Sequence, residues 1–122
     1  MFQIDYCQVD DGHRPAEEFI DGLEPKMRAK VFGRLELLEE YGNRLGMPYS
    51  RHLGDGIYEL RTVQGSNITR ILYFFFVGNR ILLTHGFTKK TQKTPKREIN
   101  RAKLIRAAWR QQHREGERDE RF

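Results

Sequence analysis

The sequence contains a single cysteine, Cys7, among its 122 residues. One cysteine cannot form an internal disulfide, and it excludes the metal sites that are built from several cysteines. This is compatible with a reducing compartment, and we expect a cytoplasmic protein. A chain of this length can bury a core without disulfides or metal, so one domain over residues 1–122 is predicted.

Long apolar segments are missing as well. The longest apolar run covers residues 71–77, which is far too short to span a membrane. The first residues, MFQIDYCQVDD, have no basic start followed by an apolar stretch, so a signal peptide is not expected. We therefore expect no membrane partner.

The sequence also lacks the common motifs of cofactor and metal chemistry. Its glycines are dispersed turn residues that form no nucleotide-binding loop, and there is no H-E-x-x-H zinc motif. No Ser/His/Asp set has the context of a nucleophile elbow. A pair of carboxylates is not evident either, so the sequence predicts neither a cofactor nor a metal.

What the sequence does have is charge in an uneven arrangement, with a formal net charge of +5. Residues 1–26 contain seven acids and two bases, whereas residues 89–110 contain nine bases and one acid, Glu98. Basic residues concentrated at one end favour a phosphate-rich partner, nucleic acid above all. The alternative is a solvated helix face.

The first half of the sequence predicts one strand and two helices. Residues 2–9 alternate in a way that is typical of a strand. Helices are predicted over residues 15–22 and 25–42, because each stretch opens with a proline, ends with a glycine and carries an apolar stripe. Residues 43–56 are rich in turn-forming residues and are predicted to be a loop.

The second half predicts three strands and a basic helix. Turns at residues 64–67 and 78–79 are short enough to join three strands into an antiparallel meander. Thr94 suits an N-cap position and Pro95 the first position of a helix. Residues 113–122 have no apolar stripe and are expected to form a frayed tail.

Hairpin geometry then predicts which side chains share one face of the meander. If the first turn pairs Val63 with Ile68, Arg61 lies directly opposite Arg70. A two-residue second turn sets the further pairs Ile81–Phe76, Leu83–Phe74, His85–Leu72 and Phe87–Arg70 on the same face.

This predicted face has an apolar half and a polar half. The apolar half consists of Phe74, Phe76, Ile81 and Leu83, and the polar half of Glu59, Arg61, Arg70 and His85. Two arginines that lie opposite each other repel. Either Glu59 bridges them, or the pair holds an anion such as a phosphate, which the forked guanidinium suits.

A loop rich in lysine and threonine, residues 88–94, leaves the end of the same strand. Its side chains and the amide groups of the following helix can close over a phosphate. His85 can transfer a proton near neutral pH. Alternatively, it is a core histidine satisfied by a neighbouring group.

The segments GIYELR, RILYFF and ILLTHGFTKKTQKTP, followed by a helix that begins with Glu98 and Ile99, resemble the HigB-like, phage-derived branch of the RelE/ParE toxin superfamily. The resemblance covers nearly the whole chain. It implies an α+β fold of the RelE/ParE type, with two N-terminal helices packed on an antiparallel sheet and a basic C-terminal helix. It also implies the toxin of a type II toxin–antitoxin pair, whose partner is a helix-turn-helix, HigA-like antitoxin.

HigB-like toxins typically enter the ribosomal A site and cut the mRNA there, so the resemblance implies a ribosome-dependent mRNA endoribonuclease. The reaction is a metal-free attack of a ribose 2′-hydroxyl on the adjacent phosphate. It needs a base, cations at the phosphate and an acid for the leaving oxygen. A ParE-like gyrase inhibitor and an inactive RNA- or antitoxin-binding module are the alternatives.

The resemblance also implies residue roles. Arg61 and Arg70 match the basic strand residues of the family, and Lys89 and Lys90 match the basic pair after the last strand. Arg61, Arg70 and Lys90 would bind the reacting phosphate, and His85 or Lys89 would transfer protons. Contacts with the RNA backbone are implied for Lys93, Lys96 and Arg97.

The sequence departs from the family pattern in two places. Glu59 stands where some relatives carry a catalytic lysine. The C-terminal tyrosine that acts as base in the RelE branch has no counterpart, since Trp109 is the aromatic residue of the last helix.

Overall fold

The computed structural model describes the backbone of residues 1–120 and the side chains of residues 1–113. Its elements, in chain order, are β1 (Gln3–Tyr6), α1 (Pro15–Asp21), α2 (Pro25–Tyr41), a 3₁₀ turn (Gly42–Arg44), β2 (Ser50–Gly54), β3 (Ile57–Gln64), β4 (Asn67–Phe76), β5 (Arg80–Lys89) and α3 (Lys96–Glu120). The described helices include none that is both long enough and apolar enough to cross a bilayer.

The five strands form one mixed sheet in the order β1-β5-β4-β3-β2. The prediction of a purely antiparallel sheet is wrong at one edge, because β1 pairs in parallel with β5. Between them the chain runs through α1, α2 and the other three strands, so no local turn signals this pairing. The predicted loop over residues 43–56 is also wrong in part, since it contains the edge strand β2, in which one residue, Ser50, is buried.

The two predicted N-terminal helices are confirmed, and both pack on one face of the sheet. The buried residues of α2 are Met27, Val31, Leu35 and Leu38, at the predicted helical spacing. They share a core with Leu60, Ile71 and Tyr73 of the sheet. On α1, the Phe19 ring packs so closely on Gly86 of β5 that a Cβ there would lie 2.3 Å from the ring. Only glycine fits at that contact.

The basic helix α3 covers the opposite face of the sheet. Its apolar side buries Ala102, Ile105 and Trp109 against Phe74 and Leu82. Burial of one large apolar side chain contributes about 1.5–3 kcal/mol. With α1 and α2 on one face and α3 on the other, both faces of the sheet are covered by helices.

The pairing of β4 with β5 differs from the predicted register near the turn. Phe76 pairs with Arg80, so the turn holds three residues and not two. An irregularity beside Thr84 shifts the register back, and Leu72 lies opposite His85 as predicted. The predicted apolar half is therefore wrong: Phe74 and Phe76 pack towards α3, while Ile81 and Leu83 belong to the core under α1 and α2.

The start of α3 also differs by one residue from the prediction. The helix begins at Lys96, and the Pro95 carbonyl accepts a hydrogen bond from the Glu98 amide at 3.0 Å. Thr94 is not the cap, because its hydroxyl donates to Glu59. The expected frayed tail, residues 113–122, lies almost entirely outside the residues with described side chains, so it stays a prediction, as does the single domain.

Candidate functional site

Three charged side chains form the centre of the site, on the α3 side of β3 and β4. Arg61 pairs directly with Arg70, as predicted. Glu59 lies on the same face, with carboxylate oxygens 3.5 Å from the Arg61 Nε and 3.9 Å from the Arg70 Nε. The Glu59 and Arg70 side chains are fully buried, and that of Arg61 is 9% exposed. Of the two explanations for the facing arginines, the structure shows the bridge by Glu59.

Other donors of both arginines hold the segment that follows β5, and Arg70 Nη1 also donates to the Ile68 carbonyl of β4 at 3.4 Å. Residues 90–95 are called the basic loop below. Arg61 Nη2 donates to the Gln92 carbonyl at 3.2 Å and to the Gln92 side-chain oxygen at 2.9 Å. Arg70 Nη2 donates to the Thr91 carbonyl, and its Nη1 lies 3.5 Å from the Lys89 carbonyl. The basic loop is therefore fastened over the arginine pair.

Glu59 fastens the other end of the basic loop. The Thr94 hydroxyl donates to Glu59 Oε1, so one carboxylate faces two guanidinium groups and one hydroxyl. Its second oxygen and the two arginine Nε atoms have no hydrogen-bond partner among the described residues. The ion pairs at this centre are thus held by charge and not by well-aligned hydrogen bonds.

The charges at this centre do not balance. Two guanidinium groups against one carboxylate leave one net positive charge in a buried position. Burial lowers the pKa of Arg70, the charge of Glu59 opposes this shift, and the charge of Arg61 adds to it. An arginine stays protonated in spite of such a shift. The excess charge consequently lies directly under the basic loop, where it attracts anions.

The other predicted cations, two of them catalytic and three RNA-binding, lie in this loop or directly beside it in the chain. Lys90, Lys93, Lys96 and Arg97 are exposed, and Lys89 is half-buried at the end of β5. Together with the buried pair they make this end of the sheet strongly basic. This arrangement can bind phosphate groups and stabilise negative charge that develops on one of them.

His85 lies deeper than the other predicted site residues. Its Nε2 is 3.1 Å from Glu98 Oε1, and its Nδ1 is 3.2 Å from the Thr84 hydroxyl. Burial lowers its pKa and the charge of Arg101 adds to this, while Glu98 opposes it. Of the two interpretations of His85, this geometry supports a core histidine whose ring nitrogens are hydrogen-bonded by its neighbours.

Sequence reasoning missed three residues of this site. Gln92 and Thr94 anchor the basic loop, and Glu98 is the partner of His85. Glu98 was visible as the one acid in a basic stretch, whereas nothing in the sequence marks Gln92. Among the side chains that the structure describes, no three His, Cys, Asp or Glu residues are grouped so that they could hold a metal ion.

A protein-family model matches most of this chain. The family model described as phage derived protein Gp49-like (DUF891) matches residues 18–106, well over half of the chain. The matched stretch includes both arginines, Glu59 and the basic loop. That family is associated with RelE-like toxins. A search of curated proteins finds no match.

Proposed function

We propose that this chain, which belongs to the Gp49-like family of phage-derived proteins, is the toxin of a type II toxin–antitoxin system and a HigB-like, ribosome-dependent mRNA endoribonuclease. The family is consistent with a toxin. The observation that carries the finer proposal is the basic loop over the Arg61–Arg70 pair, with lysines around it. Cleavage requires cations near the reacting phosphate, whereas a surface that only binds a partner does not.

In the proposed reaction a ribose 2′-hydroxyl attacks the adjacent phosphorus without a metal. The 2′-oxygen–phosphorus bond forms, the bond from phosphorus to the 5′-oxygen breaks, and the hydroxyl proton passes to a base. The five-coordinate phosphate carries extra negative charge in the transition state. Lys90 at the surface and the buried arginines below it would stabilise that charge.

Lys89 and His85 would divide the proton transfers. Lys89 is half-buried at the end of β5, beside the basic loop, and would donate a proton to the leaving oxygen. His85 would accept the 2′-hydroxyl proton only after Glu98 releases its ring. Arg61 and Arg70 would likewise touch the phosphate only where it displaces the loop carbonyls. Lys93, Lys96 and Arg97 would bind the RNA backbone.

Mapping of mRNA 5′ ends on translating ribosomes tests this proposal. The wild-type chain is compared with Lys89→Ala/Lys90→Ala and with the matched control Lys26→Ala/Lys30→Ala, which removes two exposed lysines of α2. Expected are cuts in translated codons that disappear in the first variant and persist in the second. Intact mRNA with wild-type protein would refute the nuclease, and blocked DNA supercoiling would then support a gyrase inhibitor.

One observation favours a second candidate function, an inactive module that binds RNA or antitoxin. The arginine donors are already occupied by loop carbonyls, so a purely structural role would account for them. No cleavage and no effect on supercoiling would support this candidate. On either proposal the protein acts in the cytoplasm, and its partner is a helix-turn-helix antitoxin of the HigA type that neutralises it.

A further inference from the structure

A polar pocket lies at the other end of the sheet from the basic loop. It has a volume of about 430 Å³ and is formed where the start of β5 meets the last described turns of α3 and the segment that follows β1. Arg80, the first residue of β5, lines it, whereas Lys89 ends that strand. A strand rises about 3.3 Å per residue, so the pocket and the basic loop are roughly 30 Å apart.

Two stacked aromatic rings, those of Trp109 and His113, line the pocket. Phe76 meets Trp109 edge to face, with 4.7 Å between ring centroids, and His113 stacks on Trp109 at 3.7 Å. His113 Nδ1 donates to the Trp109 carbonyl at 2.9 Å, so this bond fixes the orientation of the ring. Trp109 is buried, but His113 is half-buried and lines the pocket. An incoming flat ring would extend this stack on His113.

Two arginines also line the pocket, and one of them, Arg80, lies beside the Trp109 ring. The Arg80 guanidinium lies 5.3 Å from the Trp109 ring and pairs with Asp5 at 3.5 Å, with 33% of its side chain exposed. Arg14 pairs with Glu17 at 3.8 Å and is 50% exposed. Exposed ion pairs of this length contribute little. Both guanidinium groups therefore keep donors for an anion, and Gln8 and Gln112 add amide groups to the lining.

We propose that this pocket binds one nucleotide of single-stranded RNA, with the base stacked on His113 and the phosphate on Arg80 and Arg14. Aromatic rings with adjacent arginines are the usual means of holding single-stranded nucleic acid, because every nucleotide has a base with a flat face and a phosphate. The volume lies in the range of small-molecule sites. Arg80 lies within the residues that the family model matches, whereas Arg14 and His113 lie outside them.

Trp109 makes the proposal directly testable, because it is the only tryptophan of the chain. Isolated protein is titrated with AMP and UMP, in the absence of ribosomes, and tryptophan fluorescence is recorded. Stacking of one base contributes about 1–3 kcal/mol. Together with the phosphate contact, this predicts a saturable change with a Kd of about 1 mM. The variant Arg80→Gln should raise that Kd about tenfold, and Arg44→Gln, which removes an exposed arginine elsewhere, should leave it unchanged.

Ligand controls separate base stacking from simple anion binding. Ribose 5-phosphate and inorganic phosphate should bind at least tenfold more weakly than AMP. Equal binding of phosphate and AMP, no saturable change with either nucleotide, or an unchanged Kd for Arg80→Gln would overturn the proposal. Should Arg80→Gln fail to fold, His113→Ala is titrated with AMP in the same fluorescence assay, and an unchanged Kd would likewise overturn the proposal. The assay does not depend on cleavage, so its outcome is separate from that of the nuclease experiment.

Discussion

Replacing Glu59 with glutamine tests the central interaction of the site. The change keeps the size of the side chain and its ability to accept from Thr94, but it removes the negative charge. Arg61 and Arg70 would then face each other across the β3–β4 hairpin without a counter-charge. We expect a folded protein of clearly lower stability.

The size of the effect follows from the two ion-pair distances. At an effective dielectric constant of 20, two unit charges about 4 Å apart attract by about 4 kcal/mol. The Glu59 oxygens lie 3.5 Å from the Arg61 Nε and 3.9 Å from the Arg70 Nε. The gross loss is therefore about 8 kcal/mol, and several kcal/mol of it are offset because a buried carboxylate no longer has to be desolvated.

The expected net loss is about 3–5 kcal/mol, in line with other buried pairs from which one partner is removed. A typical domain has a free energy of unfolding of only about 5–15 kcal/mol, so the variant would be marginally stable. Urea unfolding, followed by far-UV circular dichroism, gives the free energy of unfolding and its dependence on denaturant.

Two further variants make this measurement specific. Glu36→Gln removes an exposed carboxylate of α2 and should change the free energy of unfolding by less than about 0.5 kcal/mol. Combining Glu59→Gln with Arg61→Gln removes one positive charge as well, so the double variant should lose less than the sum of the single losses, by about 1–3 kcal/mol. A loss below about 1 kcal/mol for Glu59→Gln, or strict additivity, would refute the account of the buried charges.

Two other predictions concern titration and reactivity. Burial lowers the pKa of His85 below its ordinary 6.5, so the unfolded chain binds this proton more readily and stability falls as the pH falls below about 6.5. Urea unfolding from about pH 7 to 5 should therefore give a shallower pH dependence for His85→Gln than for the wild type, and equal slopes would contradict this. Burial raises the pKa of Cys7 to about 12, and the side chain is inaccessible. A thiol reagent should consequently label Cys7 only in denaturant, and rapid labelling of the folded protein would show that this part of the core opens easily.

The elements with local signals were predictable from the sequence. Prolines and glycines mark the ends of α1 and α2, and the four-residue turn after β3 fixes the pairing of Arg61 with Arg70. Strand β2 and the parallel pairing of β1 have no such signal. Both depend on which edge of the finished sheet remains open, and that is decided by packing across the whole chain.

In the pairing of β4 with β5 the predicted turn length is wrong, but the predicted pairing near the site is correct. The turn holds one residue more than predicted, which shifts the first pairs by one. The irregularity beside Thr84, whose hydroxyl donates to the Leu72 carbonyl at 3.1 Å, shifts them back. Residues beyond His85 therefore face as predicted, while Ile81 and Leu83 face the other side. The sequence pattern does not show that Thr84 is an inserted residue, because a threonine suits a strand position on either face of a sheet.

The charged residues of the site were predictable from the sequence, but their hydrogen-bond partners were not. Arginines, lysines and Glu59 are visible in the sequence, but the acceptors that fasten the basic loop are backbone carbonyls, which every residue has. The same holds for His85, whose partner Glu98 is brought near by the fold of α3. The structure was therefore needed to decide whether Glu59 or a bound anion lies between the facing arginines.

The ion pairs of Glu59 with Arg61 and Arg70 give this residue a structural role that the sequence alone left open. In the sequence it stands where some relatives carry a catalytic lysine. In the fold it is the counter-charge that lets two arginines be buried opposite each other, and a lysine there would place three cations together with no anion. A phosphate that reaches the arginines would therefore compete with Glu59 and with the carbonyls of the basic loop. In the proposed nuclease the buried pair would therefore act on a phosphate from beneath a closed loop, and direct contact would depend on displacement of that loop.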